Sequence, residues 1–166
     1  ELLKSVYGVW DYIKNSGRYR AENLALRWVG FLPGKRESRR VIGDYILTEE
    51  DLLSSRRFPD AVAYCGWPID LHVPEGIRTR QAPDTFIHLS DIYTIPYRCL
   101  YARDVENLFL GGRAFSTSHV AFGSVRVMAT CAVVGQAIGT AAALAAREGV
   151  LPRAVDIGEL QQQLLR

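Results

Sequence analysis

Residues 107–148 read NLFLGGRAFSTSHVAFGSVRVMATCAVVGQAIGTAAALAARE, and this stretch decides the fold. The apolar run 108–110 ends at Gly111 and Gly112, a pattern typical of a buried strand that enters a tight turn. A polar loop follows, and the uncharged segment between Arg126 and Arg147 predicts a long helix that residues 124–127 open. Because a helix start presents unpaired N–H groups and a partial positive charge, it can bind a phosphate or an electron-rich ring edge.

The predicted long helix carries small residues on one face. Gly135, Gly139 and Ala143 are spaced four apart, so they share a stripe along which another helix or a sheet can approach closely. A membrane span is the competing interpretation, because residues 127–146 form an uncharged run long enough to cross a bilayer. Eight alanines and only six large apolar residues in that run favour packing inside a folded protein, and we expect no membrane partner.

The composition is that of an ordinary globular protein. The chain has 166 residues, 48% of them hydrophobic and 23% charged, with a formal net charge of +2. This balance argues against a disordered chain and against a nucleic-acid partner. The three cysteines are far apart and lack the spacing of metal ligands, so we expect reduced thiols, no metal site and a cytoplasmic location.

The remaining patterns predict a mixed α/β (α+β) fold without regular βαβ alternation. We expect two domains, a strand-rich portion over residues 1–90 and a C-terminal segment over residues 91–166. Helices are predicted over residues 1–15, 48–55 and 156–166, a hairpin from residues 23–32 and 35–47, extended pieces at residues 60–66, 85–89 and 92–100, and an irregular connection over residues 67–83. No G-x-G-x-x-G motif follows any predicted strand, so the usual motif that binds the pyrophosphate of a dinucleotide is missing.

A family resemblance emerges at residues 106–143, which begin ENLFLGGRAFSTSH. This run resembles the C-terminal flavin-binding motif of FAD-dependent oxidoreductases in the glutathione-reductase-like superfamily. It looks most like the bacterial FAD-dependent oxidoreductase family, distantly related to fumarate reductases. IPYRCLYARDVENL resembles the lead-in to that motif, and LPGKRESRRVIGDYILTEEDL and DAVAYCGWPIDLH resemble the substrate domain, so the similarity covers roughly residues 28–146.

The resemblance implies a partial FAD/NAD(P)-binding domain. In that family an N-terminal Rossmann half binds the ADP portion of FAD, and a returning segment completes the flavin site. This chain would hold the substrate-domain portion (1–90) and the returning segment (91–166), with the Rossmann half as a missing partner. The parent protein would transfer hydride between flavin and a small polar or anionic substrate. We expect the chain alone to bind FAD weakly or not at all, and to be inactive.

The resemblance and the residue chemistry together select candidate site residues. Because Gly111 and Gly112 have no side chains, the backbone there can approach a flavin closely. The superfamily often has an acidic residue at the position of Arg113, and Arg113 could instead pair with a phosphate. The predicted cofactor contacts are Gly111, Gly112, Arg113, Gly123, Ser124 and Val125. His119 and Arg126 are the predicted catalytic pair, since related reductases hold a substrate carboxylate with a His and an Arg near this place.

Other interpretations stay open at this point. His119 could be a structural hydrogen-bond partner and Arg126 a surface group. Glu37 and Arg39 share a strand face and could bind a polar or anionic substrate, or form a solvated charge pair. His72 and His88 show no partner pattern and are expected in core or surface roles. The alternative function is a non-catalytic interaction or scaffold module that binds no flavin, with a possible homodimer formed through the long helix.

Overall fold

A computed structural model describes residues 1–32, 39–82 and 84–166, and only the backbone of Ile77. Within these residues the chain forms five α-helices and two antiparallel strand pairs. The mixed α/β fold class predicted from the sequence is therefore confirmed. The chain divides into two compact units, residues 1–36 and residues 37–166.

The first unit is built on α1 (Leu2–Asn15), which the apolar spacing of the sequence predicts correctly. The helix ends before Gly17, whose φ of 71° suits glycine. The Lys14 ammonium fixes the chain that follows by donating to the carbonyl oxygens of Ala21, Glu22 and Leu24 at 2.8–2.9 Å. The apolar side of α1 and the segment 26–32 line a groove of about 570 Å³ within this unit.

The second unit contains two strand pairs. β1 (Ala61–Cys65) pairs with β4 (Tyr93–Pro96), and β2 (Ile69–His72) pairs with β3 (Asp84–Ile87), both antiparallel. β1, β3 and β4 fall within predicted extended pieces or one residue from them. The sequence interpretation missed β2, which lies where an irregular connection is predicted. Ile69, fully buried, anchors this strand despite the Pro and Gly residues around it.

Four helices complete the second unit: α2 (Glu49–Leu53), α3 (His119–Val125), α4 (Met128–Glu148) and α5 (Ile157–Leu164). The predicted Thr48 cap is confirmed, because Thr48 and Asp51 form a capping box at the start of α2. α4 packs on β1 and α5 through Val134, Ala137, Ala141 and Leu144. α5 returns Leu160 to the core, whereas Leu165 is exposed.

The hairpin predicted from residues 23–32 and 35–47 is wrong in its described parts, because no strand forms there. Backbone hydrogen bonds from the second half go to a different partner. Val41, Tyr45 and Leu47 donate to the carbonyl oxygens of Ala114, Arg98 and Ser116. The apolar residues of this segment therefore pack within the second unit. Leu47 is fully buried there and forms an isolated parallel bridge with Thr117.

The buried strand predicted at residues 108–110 is reduced to one bridge between Phe109 and Tyr101. Leu110 is buried and Leu108 is 40% exposed, so only part of this run enters the core. The boundary near residue 90 is crossed by the pairing of β1 with β4, and the assignment of residues 1–90 and 91–166 to substrate and cofactor domains stays a prediction.

α4 is the one helix in the described residues that is long and apolar enough to cross a membrane by length and composition. Such a helix is weak support for a span, because core helices of globular proteins pass the same test. Its six buried residues, which include Val134 and Ala141, face the protein rather than solvent.

Candidate functional site

The long helix predicted from residues 124–127 onward is interrupted, and this junction shapes the candidate site. Residues His119–Val125 form a separate helix, α3, with Arg126 as its C-cap. Val127 is extended, with φ −69° and ψ 150°, and α4 begins only at Met128. The predicted opening of the long helix at residues 124–127 is therefore wrong, and the start of α4 lies later in the chain.

The start of α4 is exposed and has no side-chain cap. Val127, at the N-cap position, cannot accept a hydrogen bond, and Met128 is 89% exposed. The other α-helices of the second unit are all capped by side chains, α2 by Thr48, α3 by Ser118 and α5 by Asp156. An uncapped helix of 21 residues presents its first N–H groups and its positive dipole end to whatever approaches it.

The glycine loop lies against α4, with Gly111 beside the middle of the helix. A Cβ on Gly111 would meet Ile138 Cδ1 at 3.0 Å, so this glycine permits close contact with the helix. Gly112 has φ 58°, and the space that its Cβ would occupy is open. Burial raises the pKa of the Cys131 thiol in the first turn, and the positive charge of Arg113 opposes that rise. The charge of Arg113 therefore acts at the start of α4.

Three predicted cofactor contacts are buried in α3 rather than open to a ligand. Ser124 and Val125 are fully buried, and Gly123 packs against Asp70 of β2. Ser124 Oγ donates to the Trp67 carbonyl oxygen at 2.6 Å and lies 2.7 Å from the Tyr93 hydroxyl, whose pKa is raised by burial. Cofactor contact by these residues stays a prediction, and their burial favours a packing role.

Gly123 brings α3 onto β2. A Cβ at this position would lie 2.8 Å from the Asp70 carbonyl oxygen, closer than real side chains come. This close approach lets Arg126 reach the strand, where its Nη2 donates to the carbonyl oxygen of Asp70 at 3.0 Å and to Oδ2 at 3.3 Å. Arg126 is therefore an ion-paired, mostly buried residue and not the surface group that the sequence also allowed.

The structure gives His72 a partner that sequence reasoning missed. His72 Nε2 lies 3.2 Å from Asp70 Oδ2, the same oxygen that Arg126 contacts. The signal that could have found this pair is the alternation D-x-H on a strand, which puts both side chains on one face. Because residues 67–83 are predicted to form an irregular connection, this strand pattern was not recognised in the sequence.

Basic side chains gather around Phe122 of α3. The Cζ atoms of Arg40 and Arg126 lie 5.4 and 5.9 Å from the centroid of its ring. Arg40 Nε also donates to the carbonyl oxygen of Thr117 at 3.1 Å. His119, the first residue of α3, is exposed, and its catalytic role stays a prediction.

The predicted substrate pair is Glu37 and Arg39. Arg39 is exposed, and Glu37 lies outside the described residues. Groups of His, Cys, Asp and Glu that could hold a metal ion were not found in the described part of the chain.

Comparison with known proteins identifies the family of this chain. A family model described as FAD dependent oxidoreductase matches residues 1–164. The chain belongs to the FAD-dependent oxidoreductase family. No curated protein and no solved structure matches it. Family membership gives the chain a flavin-linked redox function and an association with FAD.

The residues of this FAD-dependent oxidoreductase fit a flavin at one place better than at another. The open space at Gly112 and the exposed, uncapped start of α4 suit the edge of a ring that carries hydrogen-bond acceptors. The interior of α3 at Ser124 and Val125 does not suit a ligand, because both residues are fully buried.

Proposed function

We propose that this chain supplies the flavin-ring end of an FAD site, with the pyrimidine edge of the ring at the start of α4. The observation that carries the proposal is the exposed and uncapped first turn of that helix, on which the positive charge of Arg113 acts. In this family a bound FAD accepts or donates hydride, and the chemistry at the ring is that of the cofactor.

The chain's own contribution is electrostatic and positional. N–H groups of the first turn of α4 would stabilise negative charge at the pyrimidine edge, an effect of about 0.3–1 kcal/mol and up to about 2 in a partly buried geometry. Backbone at Gly111 and Gly112 would approach the cofactor, and Arg113 would pair with a phosphate or another anionic group.

The substrate of this site is proposed to be small and polar or anionic. Arg126, held against β2 two residues before α4, would orient an anionic group of the substrate, and His119 is the proton-donor candidate from the sequence. Glu37 and Arg39 are proposed as substrate-binding residues from the sequence alone.

The proposal includes a partner. Gly135, Gly139 and Ala143 form an exposed stripe of α4, and the space beside both glycines is open. We expect the N-terminal Rossmann half of the family to cover this stripe and to bind the ADP portion of FAD, so that the chain alone binds FAD weakly and is inactive. The three free cysteines agree with a reducing, cytoplasmic location.

A titration of the protein from its complete reading frame with FAD, followed by flavin fluorescence, tests the proposal. Gly112→Ala should weaken binding, because it strains a residue at φ 58° and places a methyl group where the cofactor would approach. Gly149→Ala is the matched control, since Gly149 has φ 68° and open space but lies at the other end of α4. A protein that takes up no FAD, or equal losses in the two variants, would overturn the assignment.

The exposed stripe of α4 also favours a second candidate function, a non-catalytic interaction module. That function predicts self-association or partner binding without flavin. Sedimentation of the chain with and without Gly139→Leu separates the two: a homodimer that the leucine disrupts, in a protein that binds no FAD, would favour the interaction module.

A further inference from the structure

Asp70 and His72 of β2 form a cluster of three side chains with Arg126, the C-cap residue of α3. We propose that His72 and Arg126, both held by Asp70, bind a small hydroxycarboxylate, and that His72 exchanges a proton with its hydroxyl group. This inference rests on the proposed function and names its substrate class. It also moves the proton-exchange role from His119 to a histidine that the sequence pattern did not single out.

Asp70 fixes the imidazole of His72. The two residues are two positions apart on β2, so their side chains leave the strand on the same face, and Nε2 lies 3.2 Å from Oδ2. A carboxylate at this distance holds the ring proton of neutral His72 on Nε2, which leaves Nδ1 as the atom that exchanges a proton. The side chain is 38% exposed, so a ligand can reach it.

Arg126 supplies the anion contact. Its side chain is only 14% exposed, and both of its hydrogen bonds use Nη2. Within the described residues, Nε and Nη1 make no hydrogen bond. A guanidinium mostly removed from water, with donors to spare, favours an anion with several acceptor atoms, and a carboxylate has that chemistry.

The carboxylate of Asp70 is itself only half satisfied. Oδ2 contacts both His72 and Arg126, whereas Oδ1 is buried and has no hydrogen-bond partner among the described residues. Buried carboxylate oxygens are normally paired, so this one requires a donor. Nδ1 of His72 is an acceptor that a ligand hydroxyl can satisfy, which is why we choose a hydroxycarboxylate rather than a simple carboxylate.

The proton step is balanced within the cluster. The ligand O–H bond breaks, its oxygen keeps the electron pair, and the proton goes to Nδ1 of neutral His72. The imidazolium formed lies against Asp70, whose negative charge stabilises it. Arg126 is the C-cap of α3 and α4 begins two residues later, so the ligand would lie next to the proposed flavin position.

The imidazole nitrogens of labelled chain, observed by ¹⁵N NMR without FAD, test the inference. The sequence has three histidines, so variants of each assign the signals. The ¹⁵N shifts should show His72 as the Nε2–H form, and Asp70→Asn should abolish that preference. Glycolate should shift the His72 signals saturably, and acetate, which lacks the hydroxyl, should bind about tenfold more weakly.

Two variants distinguish glycolate binding at this cluster from glycolate binding elsewhere on the surface. Arg126→Lys keeps the charge but loses guanidinium donors, and should weaken glycolate binding about tenfold. His88→Gln, at an exposed position after β3, should leave glycolate binding unchanged. His72 signals that ignore glycolate, or a response at His119 instead, would overturn the inference. FAD binding is measured separately. If the protein binds glycolate at His72 but does not bind FAD, the proposed cofactor role is rejected and this ligand site is retained.

Discussion

α3 and α4 are neighbouring helices separated by two residues, and their surroundings are opposite. Five of the seven residues of α3 are buried, and Gly123 is pressed against a strand. α4 is three times as long, yet it buries six residues and leaves its first turn and two glycines open. The short helix is therefore packed into the core on most of its surface, whereas the long helix leaves surface exposed where we propose that a cofactor and a partner bind.

The largest difference is expected at the cores of the two helices. Phe122→Ala should destabilise the chain by about 3–5 kcal/mol, because it empties a site that is 2% exposed and removes the ring beside Arg40 and Arg126. Val133→Ala on the open side of α4 should change stability by less than about 0.5 kcal/mol. Chemical denaturation of both variants measures the two changes in the free energy of unfolding. Losses of comparable size would contradict the difference between the two helices.

The glycines should respond with opposite signs. Gly123→Ala places a methyl group 2.8 Å from the Asp70 carbonyl oxygen and should cost about 1–3 kcal/mol. Gly135→Ala meets no atom within 4 Å inside a helix, so it should stabilise the isolated chain by about 0.5–1 kcal/mol. Thermal unfolding with changes of the same sign would contradict this account of the two helices.

The capping box at the start of α2, unlike the uncapped start of α4, contains a titratable carboxyl group, that of Asp51. Burial raises the pKa of Asp51, but hydrogen bonds from Thr48, Tyr45 and Arg56 outweigh it, so the pKa is lowered below 3.8. Its stabilising effect is therefore present above that value and is lost as pH falls through the folded-state pKa.

Asp51→Asn should cost about 1–3 kcal/mol at neutral pH, because it removes a buried acceptor of several hydrogen bonds. Its difference from the wild type should shrink in acid. Denaturation as a function of pH checks this, and a difference that stays constant down to low pH would exclude Asp51 as the source.

The smallest effect concerns the open start of α4. Val127→Thr keeps the side-chain shape and adds a cap, so it should stabilise the chain by about 0.5–1 kcal/mol while weakening FAD binding. Ala129→Ser, in the first turn but not at the cap position, is the control. Stabilisation without loss of FAD affinity would show that the helix start is not where the cofactor binds.

The sequence predicted elements whose signals are local. Thr48 followed by three acids predicted the start of α2, and the apolar spacing of residues 2–13 predicted α1. It did not find α3, because residues 118–123 are predicted to lie in a polar, glycine-containing loop, whereas in the structure this helix packs against β2 through the close approach of Gly123 to Asp70. The pairing of His72 with Asp70 was hidden for a similar reason, since β2 is stabilised by tertiary burial of Ile69.

We propose above that the start of α4 and the glycine loop bind the flavin ring. An amide NMR titration of the ¹⁵N-labelled chain with FAD tests it most directly, because it detects even weak binding at single residues. We expect the largest shifts at Gly112, Arg113 and residues 128–130, with none in α3 of comparable size. Shifts confined to the apolar groove of residues 1–32, or no shifts at all, would contradict it.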